Sequence, residues 1–297
     1  MFEGFTRHRI ETSQAVTINL VASGTGHGLL LLHGCPETLA MWHKTAPAFA
    51  DDFAVVASDL RGYGDSSKPP GGSDHSSYSF RAMAQDQVEV MEALGHDAFV
   101  VVGHDRGARV AHRMALDHPG AVTKAAVLDI LPSLTLYEET DAQFARAYWE
   151  WFFFIQAYDF PETLLGEAPE RFLRYELGAL VDGGVIPQEA WNEYLRCISD
   201  PSAIHAMCED YRAGASIDLE HDRSDLDRKV TCPLLVLWGR KNPIWTRFDM
   251  LDIWRQRAVT VTGEALRCGH YLPEEAPDAT YTRLHAFLSD APAGPDG

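Results

Sequence analysis

The stretch Val100–Leu116, VVVGHDRGARVAHRMAL, decides how this chain is read. Three valines, which favour strands, meet Gly-x-Asp-x-Gly and pass at once into a segment rich in Ala and Arg, which favour helix. Alone, GxDxG is a plain turn. Between a buried strand and a helix it has the form of a nucleophile elbow, in which glycines allow close backbone approach and the apex residue is pushed up out of the sheet. The usual occupant is Ser, which needs a base to take its proton. Asp105 is already ionised, so it can attack saturated carbon by displacement and form an ester.

Outward from this motif, strand and helix signals alternate. Val16–Ala22, Leu29–Leu32, Ala54–Ser58, Ala98–Val102 and Ala125–Ile130 read as strands, and Tyr78–Leu94 as an amphipathic helix. The elbow helix runs to about His118, where Pro119–Gly120 ends it. From Leu134 to Asp225 the patterns are helical and aromatic-rich, as in YWEWFFFIQAY, with no convincing buried strand. The strand signal returns at Cys232–Gly239 and around Ala258–Val261. A last helix is expected near Tyr281–Leu288, and the tail DAPAGPDG is expected to be disordered. The chain therefore reads as α/β: a mostly parallel sheet with helices on both faces, formed by residues 1–133 and 226–297. Residues 134–225 read as a helical cap inserted over the carboxyl ends of the strands, where open α/β sheets bind ligands.

Composition narrows the function. A formal net charge of −18 argues against a nucleic-acid partner and repels small anions at long range. Any arginine serving an anionic substrate must then be local. Five scattered cysteines without CxxC suit free thiols in a reducing cytoplasm, and no apolar run is long enough for a membrane span.

An Asp105 ester must be hydrolysed, which needs a general base to activate water. Cys268-Gly269-His270 follows the last core strand, where a base carried on a loop belongs, and Asp129 ends the strand after the elbow helix, where it can orient His270. The order Asp105, Asp129, His270 is the nucleophile–acid–base order of the α/β-hydrolase fold. In His33-Gly34-Cys35-Pro36, Pro36 has no N–H, so the Cys35 backbone N–H is the expected oxyanion donor, with the Arg106 backbone N–H as the second. The side chains of Arg106 and Arg109, three apart at a helix N-terminus, fall on one face beside Asp105 and suit a substrate carboxylate. Arg113, one turn on, reads as structural.

GHDRGARV, VLDILP, MCEDYRAGA and GHYLPEEAPD, in this order and spacing over nearly the whole chain, resemble the fluoroacetate (haloacetate) dehalogenase family of the α/β-hydrolase superfamily. The resemblance implies Asp105 as nucleophile, His270 as base, Asp129 as its partner, and Arg106 and Arg109 on the substrate carboxylate. It also implies hydrolysis without cofactor or metal, and a homodimer. The family's halide-site Tyr maps onto Tyr211 and its Trp onto Trp151. Glu150 stands where the family has His. An ionised Glu150 offers fluoride no donor and repels it by about 4 kcal/mol at 4 Å and an effective dielectric of 20. A protonated Glu150 donates instead, and a third possibility is that it points away from the site. Trp149 and the Phe152–Phe154 run read as packing.

The leading reading is a hydrolytic dehalogenase of short 2-haloacids, haloacetate to glycolate, with chloro- and bromoacetate ahead of fluoroacetate because of Glu150. Two others use the same residues. One is an epoxide hydrolase for a small epoxy acid, in which Tyr211 or a protonated Glu150 serves the ring oxygen. The other is a non-catalytic carboxylate-binding protein on a hydrolase fold, and the joint presence of Asp105 and His270 counts against it.

Overall fold

Strands apolar on both faces belong inside a parallel sheet, and the runs around Leu29–Leu32 and Val100–Val102 lie there. The computed structural model describes residues 1–290. Eight strands form one sheet: β1 Thr6–Glu11, β2 Thr17–Ser23, β3 His27–Leu32, β4 Phe53–Ser58, β5 Phe99–His104, β6 Val122–Leu128, β7 Leu234–Gly239 and β8 Val261–Leu266, in the order β1-β2-β4-β3-β5-β6-β7-β8. β1 and β2, and β2 and β4, pair antiparallel; every pair from β4 to β8 is parallel. β5 is buried along its whole length between β3 and β6. The helix Phe80–Ala93, capped by Ser79 Oγ on the Ala82 N–H at 3.2 Å, packs on the elbow helix Arg106–Asp117, which in turn lies on β5 and β6. Between β6 and β7 the described chain forms eight helices, from Ser133–Glu138 to Ile217–Ser224, and no strand.

Two strands differ from the sequence expectation. β1 pairs with β2 as an antiparallel edge hairpin; its sequence, TRHRIE, is too polar to give an apolar signal. β8 starts where the last strand was expected to end, and Ala258 makes only an isolated bridge with Val230. VTGEAL is also an edge strand, half exposed, so its pairing with β7 rather than its hydrophobicity defines it. Residues 291–297 of the tail read as disordered lie outside the described residues.

Candidate active site

The elbow is built by steric necessity. β5 ends at His104, the helix opens at Arg106, and Asp105 between them takes φ +46°, ψ −114°, a conformation few side chains tolerate. The turn closes because its neighbours lack side chains. A Cβ on Gly107 would sit 2.4 Å from the His33 carbonyl oxygen, and one on Gly34 would sit 2.6 Å from the Asp105 Cβ. The HGCP turn after β3 is thereby pressed against the nucleophile, and the Cys35 N–H donates to Asp105 Oδ1 at 3.0 Å.

Asp129, just past the end of β6, is buried with a positive φ, and its Oδ2 accepts from His270 Nδ1 at 2.6 Å. Its other oxygen accepts from the Gly239 N–H at 2.6 Å and from Trp245 Nε1 at 2.8 Å. With the Nδ1 proton toward Asp129, His270 presents Nε2 to Asp105 Oδ2, 4.0 Å away. The His104 ring lies 4.6 Å from the His270 ring, and its Nε2 is 2.8 Å from the His270 carbonyl oxygen. Trp245 was not foreseen: nothing in NPIWTR distinguishes an anchoring indole from a packing one.

Charge follows this geometry. Burial pushes the Asp105 carboxyl up, but His270, His104, Arg109 and Arg106 together hold it below its ordinary value, so it is ionised. Burial pulls His270 down, but the Asp129 hydrogen bond and charge, then the charge of Asp105, outweigh it and raise the imidazole to about 9.

The arginines part company. The sequence reading gives both guanidinium groups to a substrate carboxylate, and in the structure Arg106 is paired with Asp210. Its Nε donates to Asp210 Oδ2 at 2.8 Å, and its Nη2 bonds both Asp210 Oδ1 and, at 2.7 Å, the Asp210 carbonyl. A buried guanidinium requires a counter-charge, and Asp210 lies 104 residues away, in a helix whose facing the sequence does not reveal. Arg109 has no carboxylate partner among the described residues. Its Nη1 donates to the Leu131 carbonyl at 3.0 Å and to Ser133 Oγ at 2.8 Å, while its buried Nε has no acceptor. Each guanidinium lies over an aromatic face, Arg106 over Tyr211 at 4.4 Å and Arg109 over Trp151 at 4.7 Å. Arg113 reaches Asp225 at 2.6 Å and Asp222 at 2.9 Å, in keeping with its structural reading.

A cavity of about 300 Å³ opens over Asp105 and His270. Trp151, Tyr211 and Glu150 line it, and Cys35 lies at its base. Trp149 and Phe154, read as packing, line it too. So does Glu176, from the helix Pro169–Asp182, which no sequence signal singles out. Burial raises Glu150 to about 8, with the charge of Glu176 adding to it, and raises Glu176 to about 7. Glu150 therefore faces the site largely uncharged at neutral pH. Burial also keeps the Tyr211 hydroxyl protonated. Among the described residues no group of three or more His, Cys, Asp or Glu is arranged to hold a metal ion, and no helix is long and apolar enough to cross a membrane.

Fold and site define an α/β hydrolase, and the family model for the alpha/beta hydrolase fold matches residues 29–277. The chain is 47% identical to a fluoroacetate dehalogenase of Burkholderia sp, over 99% of this chain and 97% of that one. It is 34% identical to a soluble epoxide hydrolase of Corynebacterium sp. (strain C12), over 88% of this chain and 89% of the relative. A crystal structure of an alpha/beta hydrolase from Nostoc sp PCC 7120 superposes with a TM-score of 0.96 at 54% identity, covering 98% of this chain and 100% of that one. The chain belongs to the fluoroacetate dehalogenase family of α/β hydrolases, enzymes acting on carbon–halide bonds.

Proposed function

We propose that this enzyme hydrolyses short 2-haloacids, haloacetate to glycolate, through an ester on Asp105, with residues 134–225 acting as a cap over the site. Asp105 attacks the halogen-bearing carbon and halide leaves toward Trp151, Tyr211 and Glu150. Water activated by His270 then adds to the Asp105 carboxyl carbon, the Cys35 and Arg106 backbone N–H groups stabilise the oxyanion, and glycolate departs. Asp129 orients the imidazole. Arg109 holds the substrate carboxylate, while Arg106, tied to Asp210, braces the wall beside it.

The observation that carries this reading is an ionised Asp105 at an elbow beside a buried arginine, Arg109, with no carboxylate of its own. A buried guanidinium N–H left without an acceptor is costly, and a carboxylate substrate supplies one. The resting charge of His270 also fits. Forming the ester removes the Asp105 charge that helps hold the proton on His270, so the imidazole becomes a base when the ester needs one. Chloro- and bromoacetate are expected to react faster than fluoroacetate because fluoride is the poorer leaving group. Repulsion by Glu150 is no part of that ranking, since the carboxyl is raised to about 8.

The test is halide release from fluoro-, chloro- and bromoacetate by the purified protein, with Asp105→Asn as control. Release that the substitution reduces by at least about 1,000-fold supports the reading. Release that survives it assigns the nucleophile elsewhere, and no release from any of the three excludes haloacetates.

A further inference from the structure

Glu150 and Glu176 are unspent groups inside the reaction chamber. Both line the cavity over Asp105 and His270, one from the helix Trp149–Phe154 and one from Pro169–Asp182. Among the described residues neither makes an ion pair or a hydrogen bond to another residue, although Glu176 Oε1 is buried. Among the described residues, those lining the cavity include no Lys or Arg. The groups facing the pair are Asp105 and His270 from the sheet side, and the phenols of Tyr148, Tyr175, Tyr211 and Tyr271. Arg174, on the same helix as Glu176, is turned outward to Asp182 and Glu170. Arg146 and Arg171 line only a neighbouring outer groove. Two carboxyls so placed beside the Asp105 charge cannot both ionise cheaply, and the pair keeps a proton at neutral pH.

A chloride or bromide leaving group has no use for that proton; an oxygen leaving group does. We propose that Glu150 and Glu176 form a general acid which protonates the ring oxygen of small 2,3-epoxy carboxylates, so that this site opens epoxy acids as well as cleaving carbon–halogen bonds. The inference rests on the haloacid reading for Asp105 as nucleophile and Arg109 as carboxylate holder. Asp105 forms a bond to an epoxide carbon, the ring carbon–oxygen bond breaks, and the oxygen takes the pair's proton as a hydroxyl. Hydrolysis of the ester by His270-activated water returns Asp105 as carboxylate and releases one proton, which restores the pair; the product is a dihydroxy acid. Oxidation states are unchanged beyond the addition of water.

The acid step is isolated by placing the protein in a His270→Gln background, where the ester accumulates and His270 no longer titrates. Intact mass then follows alkylation by glycidate and by bromoacetate. Both are anions, so their rate ratio cancels charge repulsion and leaves proton donation. The expected result is a glycidate-to-bromoacetate ratio that falls as pH rises from 6 to 9. In Glu150→Gln or Glu176→Gln the ratio should drop about 100-fold and lose its pH dependence. Circular dichroism and melting curves of the same variants report an intact fold, and the pH profile of the unsubstituted pair serves if either variant misfolds. Bromoacetate alkylation without glycidate alkylation overturns the inference and leaves the haloacid reading standing. A ratio unmoved in both Gln variants, or flat with pH, assigns the acid to another group and overturns it as well. Alkylation by neither compound overturns the haloacid reading and this inference together.

Discussion

The two halves of the cavity are made differently. On the sheet side, Asp105, Asp129, Cys35 and His270 stand at or just beyond the ends of β5, β6, β3 and β8, each fixed by short hydrogen bonds and by glycines that admit no side chain. On the helical side, Glu150, Trp151, Glu176 and Tyr211 come from three helices and are held by aromatic packing; their polar atoms are largely unspent. Backbone geometry thus fixes where the reaction occurs, and helix packing fixes what the reacting molecule meets there. Substitutions on the sheet side should stop the chemistry, and those on the helical side should change its selectivity and pH response.

The sharpest test of that division is His270→Ala. Turnover should fall by about 1,000-fold while bromoacetate still alkylates Asp105, seen as a stable mass increase on the protein. Loss of the adduct along with turnover would place His270 in the first step and blur the division. Arg109→Leu comes next. Removing charge-assisted bonds to a carboxylate should raise KM for chloroacetate about 10- to 100-fold with a smaller change in kcat, checked by steady-state kinetics. Trp245→Phe removes one of three hydrogen bonds on Asp129 and should lower kcat about tenfold, with KM nearly unchanged.

The smallest expected effect lies in stability. A carboxyl raised from its unfolded value binds a proton more tightly in the folded state, so the folded state loses ground as pH rises between the two values. For Glu150 that window runs from 4.5 to about 8, and for Glu176 from 4.5 to about 7. Melting curves should show Tm falling by a few degrees across it, and less in the Glu150→Gln, Glu176→Gln double variant. A parallel fall in both proteins would mean that the pair is ionised throughout. His270, raised from 6.5 to about 9, adds a fall of the same sign at higher pH in both.

The same division governs what could be read from the amino acids. Asp105 and Cys35 were legible because a strand, a tight turn and the residue between them are local features, and a strand end fixes its side chain's direction. His270 and Asp129 were legible from their places after strands. Glu176, Asp210 and Trp245 were not, because a helix carries polar residues on several faces and only its packing selects the one turned inward. Glu150 was found through the resemblance and not through spacing, and its burial, which decides its charge, depends on a helix distant in sequence. Trp149 and Phe154 were read as packing for the same reason: an aromatic that lines a cavity and one that fills a core have the same pattern. β8 was misplaced because edge strands need no apolar run.

That no Lys or Arg lines the cavity among the described residues has a consequence for how the substrate arrives. The attraction felt by an incoming anion comes from Arg109, stacked on the indole face of Trp151, whereas the net charge it approaches is −18. The molecule therefore resists capture of its own substrate until the last few ångströms. Ionic strength should act on it in the unusual direction: added salt screens the long-range repulsion more than the buried attraction, and capture of a dilute haloacid should quicken in brine and slow in fresh water.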